Sequence, residues 1–134
     1  MSLIKWTPEV FGTTVAKHDE EHKHLFGLLN GLHASVRSGE RGAIGRALDG
    51  LIDFVAVHFA SEEENMLAAG YPALALHKQE HDKLEEACLS LQTQFHAGTA
   101  EVTEQTTAFL RDWLIQHIPQ VDRQYGPLLS VAGR

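Results

Sequence analysis

With 134 residues, 43% of them hydrophobic, the chain is long enough to bury a substantial core as one domain, 1–134. Its formal net charge of −7 argues against nucleic acid and anionic membrane surfaces as partners. A single cysteine, Cys88, rules out an internal disulfide and any cysteine-rich zinc or iron–sulfur site. The opening residues carry no basic stretch leading into an apolar core, and no window approaches the roughly 20 apolar residues that span a bilayer. A cytoplasmic location without membrane insertion is therefore expected. Nine histidines are the unusual feature.

Residues 1–17 read as an arm, because Trp6, Pro8, Phe11 and Gly12 break any helical period. From Asp19 a 3.6-residue period places His22, Leu25, Phe26, Leu29, Leu32, His33 and Val36 on one face. Asp19, Glu20 and Glu21 fall in the first turn, opposing the positive end of the helix dipole, and Ser38-Gly39 ends this first helix. A second helix, Arg41 to Ala69, turns Leu48, Leu51, Ile52, Val55, His58, Phe59, Glu62 and Met66 inward. Gly70 suits the left-handed position after it, and Pro72 the first turn of a third helix. That helix carries His77, His81, Leu84, Cys88, Leu91 and Phe95 on one stripe and ends near Gly98. Thr99 is expected to cap a fourth helix, with Thr106, Leu110, Trp113, Leu114 and His117 facing in. Pro119 must bend or restart it, and a short tail, 120–134, closes the chain. Four amphipathic helices joined by short turns predict an all-α, up-down-up-down antiparallel four-helix bundle over about 18–119.

Two pairs of metal-ligand types stand at i, i+4: His58 with Glu62, and His77 with His81. That spacing lets both side chains of a pair reach one point. Adding His22, His117 and Asp122, every helix contributes a ligand type from its core face. Buried polar groups without partners are costly, and a cation supplies the partner. Five imidazoles and two carboxylates exceed the needs of one ion and suit two ions bridged by Glu62 and Asp122. Iron, zinc, copper and nickel all match this nitrogen-rich set better than magnesium or calcium, with iron the default for oxygen chemistry.

The runs DEEHKHLF (19–26), HFASEE (58–63), GYP (70–72), HKQEH (77–81) and WLIQHIPQVD (113–122) together resemble the hemerythrins, specifically single-domain bacteriohemerythrins, over nearly the whole chain. All seven ligand positions are filled. The resemblance implies a non-haem di-iron centre, oxo- or hydroxo-bridged, that binds O2 reversibly as carrier or store and is not an enzyme. His77, His81 and His117 would complete one iron. His22 and His58 would hold the other, with Glu62 and Asp122 bridging and one position left for O2. By helical phase, Phe26, Leu29, Phe59, Trp113 and Leu114 are candidates for the wall of the O2 pocket. The expected partners are dioxygen and an O2-consuming recipient enzyme, and the expected state is a monomer.

Blander readings apply elsewhere. His18 is expected at the rim near the helix start, His33 lies about 16 Å along the helix from His22, and His96 reads as exposed. Glu63 and Glu64 are rotated away from Glu62 and are assigned to solvent. Asp122 stands five residues from His117, off the face of a regular helix; a kink or widened turn at Pro119 would bring it back. Cys88 reads as a small buried hydrophobe. The competing functions are a di-iron oxidase, peroxidase or nitric-oxide-handling protein, an oxygen-sensing module, and iron or zinc buffering. Ferritin-like di-iron enzymes use mostly carboxylates with Glu-x-x-His pairs, whereas here histidines predominate, which favours carriage.

Overall fold

The computed structural model describes residues 2–133. Its helices are α1 (Pro8–Phe11), α2 (Ala16–Ser38), α3 (Arg41–Ala69), α4 (Leu74–Ala97), α5 (Glu104–His117) and α6 (Arg123–Val131), with a π-helical turn, Ile118–Asp122, joining the last two. No strand occurs among the described residues. The four long helices form the expected bundle: α2 packs against α3 and α5, and α3 against α4. Rings of His77, His81 and His117 bring α4 and α5 together.

The helix ends follow local chemistry. α2 and α3 close on Gly39 (φ 76°) and Gly70 (φ 70°), left-handed positions where a Cβ would be strained. Glu40 caps α3 by accepting from the backbone N–H groups of Gly42 and Ala43. Pro72 lies in the turn before α4, not in its first turn. α5 starts later than the Thr99 reading placed it. Thr103 is its cap, and Thr106 turns back to bond the Thr103 N–H (3.1 Å), so Thr107 rather than Thr106 is the buried threonine.

Both termini are more ordered than an arm and a tail. The Asn30 side chain accepts from the N–H groups of Leu3 and Ile4 and donates to the Ile4 carbonyl, pinning the arm to α2 while Ile4 and Phe11 enter the core. The stretch 120–133 is largely helical, and Tyr125 and Leu129 of α6 are fully buried. They join Val15 and Met66 in a small apolar cluster at one end of the bundle. The larger cluster, from Leu25 and Leu29 through Phe59, Leu84 and Leu114, fills the other end. Between the two clusters lies a layer of buried histidines and acids.

Candidate metal centre

α2 supplies His22, α3 His58 and Glu62, α4 His77 and His81, α5 His117, and the π turn Asp122; all seven are buried. The π turn resolves the awkward spacing of the last pair. Its i→i+5 bonding brings residues five apart to nearly one face, and Pro119, which cannot donate a backbone hydrogen bond, sits inside it.

The donor atoms form two groups that share both carboxylates. His77, His81, His117, Glu62 and Asp122 make one; His22, His58, Glu62 and Asp122 make the other. Within each group the donor atoms lie within 4.8 Å of one another. The carboxylates divide their oxygens between the groups. Asp122 Oδ1 is 2.8 Å from both His77 Nε2 and His117 Nε2, while Oδ2 is 3.0 Å from His22 Nε2. Glu62 Oε1 is 3.2 Å from His81 Nε2, while Oε2 is 3.3 Å from His22 Nε2 and 3.4 Å from His58 Nε2.

Short as these approaches are, His22, His77, His81 and His117 Nε2, Glu62 Oε1 and Asp122 Oδ1 are buried without a hydrogen-bond partner. Close atoms that lack hydrogen-bond geometry face common centres rather than each other. Each such group is costly in an interior, and a cation at each centre removes the cost. The donor set therefore fits metal ions. The electrostatics agree. Burial works to lower the His22 pKa, but the adjacent Asp122 and Glu62 push it up to about 10. Burial also opposes the Asp122 charge, yet His117, with His22 and His77, holds the carboxyl well below the usual range. The protein alone already draws positive charge into this layer.

Around the donors the structure corrects the sequence reading at several residues. His18 is fully buried, not at the rim, because α2 begins at Ala16; burial lowers its pKa. Glu21 does more than oppose a dipole: its Oε1 lies 2.8 Å from His58 Nδ1 and 3.0 Å from His18 Nδ1. Burial raises its pKa, but these two imidazoles outweigh that and hold it at about 2. Glu63 is not left to solvent; its Oε2 pairs with His81 Nδ1 at 2.9 Å. Tyr125, unassigned in the sequence, donates its hydroxyl to Glu62 Oε2 at 2.6 Å. Val121, Tyr125 and Leu129 do stand at i, i+4, i+8, but Gly126-Pro127 between them reads as a helix breaker and conceals the helix that carries the phenol. His33 is partly buried against Thr107, and His96 is half exposed and bonded to Asp49.

Of the apolar wall candidates, Phe59 stacks on His81 (3.7 Å between centroids, 3°) and Trp113 on His117 (4.1 Å, 16°). Leu29, Phe59 and Leu114 line an apolar cavity of about 20 Å³ together with Leu25, Val55 and Leu110. Phe26 packs instead against Phe11. Cys88 also borders the cavity, and burial raises its thiol pKa to about 11.

Residues 13–129 match the model of the hemerythrin HHE cation-binding domain. The chain is 52% identical over 130 residues to a bacteriohemerythrin of Methylococcus capsulatus, covering 97% of this chain and 99% of that one. It is 35% identical over 111 residues to a hemerythrin-like protein of Naegleria gruberi, covering 83% and 82%. A crystal structure of wild-type hemerythrin superposes with a TM-score of 0.95 at 52% identity, covering 96% of this chain and 99% of that chain. The chain belongs to the hemerythrin family.

Proposed function

We propose that the chain binds dioxygen reversibly, as carrier or store, at a pair of non-haem irons held by His22, His58, Glu62, His77, His81, His117 and Asp122. The observation that carries this reading is the division of both carboxylates between two histidine groups, one oxygen of each turned to either side. Two ferrous ions in these positions would supply the electrons on which reversible O2 binding draws.

The side chains do the rest. Three imidazoles stand in one group and two in the other, so an ion beside His22 and His58 would have fewer protein donors and would be the one left open to O2. Residues near those two donors in the chain, Leu25, Leu29, Val55 and Phe59, line the apolar cavity. At about 20 Å³ it exceeds the roughly 10–15 Å³ that one water needs but offers no polar partners to hold one. A dry space of this size suits a diatomic gas. Cys88 is the titratable side chain on this wall, and with its pKa raised to about 11 it is no proton donor of consequence. A wall that delivers no protons favours release of O2 over its reduction, and hence carriage over catalysis.

The test is an O2 titration of the anaerobic ferrous protein. An absorption band that grows with O2 and disappears on its removal, over repeated cycles, is expected. Irreversible oxidation in the first cycle would contradict carriage, and zinc in place of iron in the purified protein would favour buffering.

A further inference from the structure

His18 has no place among the seven donors, yet it is among the most deeply buried side chains in the protein. Its surroundings explain why. Glu21 Oε1 lies 3.0 Å from His18 Nδ1 and 2.8 Å from His58 Nδ1, and Asn65 Nδ2 lies 3.0 Å from His18 Nε2. An ionised carboxylate only accepts, so both Nδ1 atoms carry the hydrogen and donate to Glu21. His18 Nε2 is then a lone pair, and it accepts from the Asn65 amide. The result is a continuous chain: Asn65 donates to His18, His18 donates to Glu21, and Glu21 also accepts from His58. His18 and Glu21 stand one turn apart on α2; His58 and Asn65 stand two turns apart on α3.

We infer that Glu21, clamped by His18 and Asn65, is a positioning residue for His58 at the metal position with fewer protein donors. This rests on the reading of His58 as a ligand. With Nδ1–H fixed toward Glu21, the lone pair of His58 Nε2 faces Glu62 Oε2, and a carboxylate behind an imidazole makes it a stronger donor. The other imidazole of that position, His22, has a buried Nδ1 with no partner, so the support falls on His58 alone. The second group is built differently. Glu63 backs His81, but beyond the imidazole its charged neighbour is the exposed Lys78 at 3.9 Å, and no buried side chain holds it. Of the two supporting carboxylates, Glu21 alone is also held by a fully buried imidazole, His18, that is not one of the seven donors. That device sits where two histidines, not three, must retain the ion.

The experiment compares metal occupancy at the two positions. Crystals of the metal-free full-length wild type and of Glu21→Gln and Asn65→Leu are soaked in limiting cobalt(II), and occupancy is read from anomalous scattering. Glutamine keeps the shape of the acceptor and loses its charge. The peak beside His22 and His58 should need about 10–100-fold more cobalt in Glu21→Gln, while the peak beside His77, His81 and His117 changes less than threefold. Asn65→Leu, which touches no ligand, should weaken the same peak by a smaller factor. Imidazole nitrogen NMR of the soluble proteins supplies a readout independent of metal: His58 should show the Nδ1–H form in the wild type and a mixture of tautomers in Glu21→Gln. Unchanged occupancy with an unchanged His58 signal, or equal loss at both peaks, would overturn this inference alone. A wild type lacking both peaks would overturn the metal reading and this inference with it.

Discussion

Replacing Tyr125 by phenylalanine removes one atom from the heart of the protein and little else. The ring can remain stacked on His77 (5.8 Å, 19°) and edge-on to His18 (5.4 Å), so no cavity opens. What disappears is the hydroxyl that donates to Glu62 Oε2 at 2.6 Å, with donor and acceptor both fully buried. A hydrogen bond to a charged group contributes about 1.5–3 kcal/mol, and here the carboxylate has no solvent to turn to. The expected loss is therefore about 2 kcal/mol. At ~4 °C per kcal/mol for a chain of this size, the melting temperature should fall by about 8 °C. The assay is urea unfolding of the chelator-treated protein, followed by far-ultraviolet circular dichroism, so that bound ions do not mask the difference by mass action. Tyr125→Ala, which also deletes the ring, should cost more, about 3–5 kcal/mol. A Tyr125→Phe protein within about 0.5 kcal/mol of wild type would refute the reasoning, because it would mean that the phenol does not hold the Glu62 carboxylate.

Other consequences are as direct. A Cβ on Gly126 would run into the carbonyl oxygen of Thr13, so Gly126→Ala should destabilise the protein by about 1–3 kcal/mol, measured in the same urea assay. An unchanged midpoint would mean that α6 does not seat against the arm. The Cys88 thiol, with its pKa raised from 9.0 to about 11, holds about 100-fold less thiolate near pH 8 than the unfolded chain. Alkylation of the native protein should be slower by at least that factor, and equal rates in native and urea-unfolded protein would place Cys88 at the surface. His77→Ala should lose bound iron, since it deletes a donor whose Nε2 stands 2.8 Å from Asp122 Oδ1. Two irons per chain in that variant would contradict its assignment.

The long helices and their donors were legible because each depends on local pattern. Gly39 and Gly70 mark real helix ends, and the i, i+4 pairs fall on faces that are apolar everywhere else. What escaped the sequence depends on tertiary contact. Gly126-Pro127 reads as a breaker, yet α6 runs through it, and its glycine is the site of close approach to Thr13. His18 looked peripheral because the carboxylates at 19–21 resembled a first turn. In the fold, Asp19 instead accepts from the N–H and hydroxyl of Thr13, and α2 begins upstream. Helical phase sent Glu63 toward solvent, as its rotation from Glu62 requires. A glutamate is long enough to reach across the seam between two helices, and phase alone does not register that reach. Asp122 is given by the resemblance, but from helical phase it follows only with a widened turn, which the π turn at Ile118–Asp122 supplies.

The central claim is that seven side chains enclose two inequivalent metal positions bridged by Glu62 and Asp122. Mössbauer spectroscopy of the protein loaded anaerobically with ⁵⁷Fe(II) tests it most directly. Two ferrous environments in equal amounts are predicted, because one position draws on five protein residues and the other on four. A single environment at one iron per chain would contradict the account.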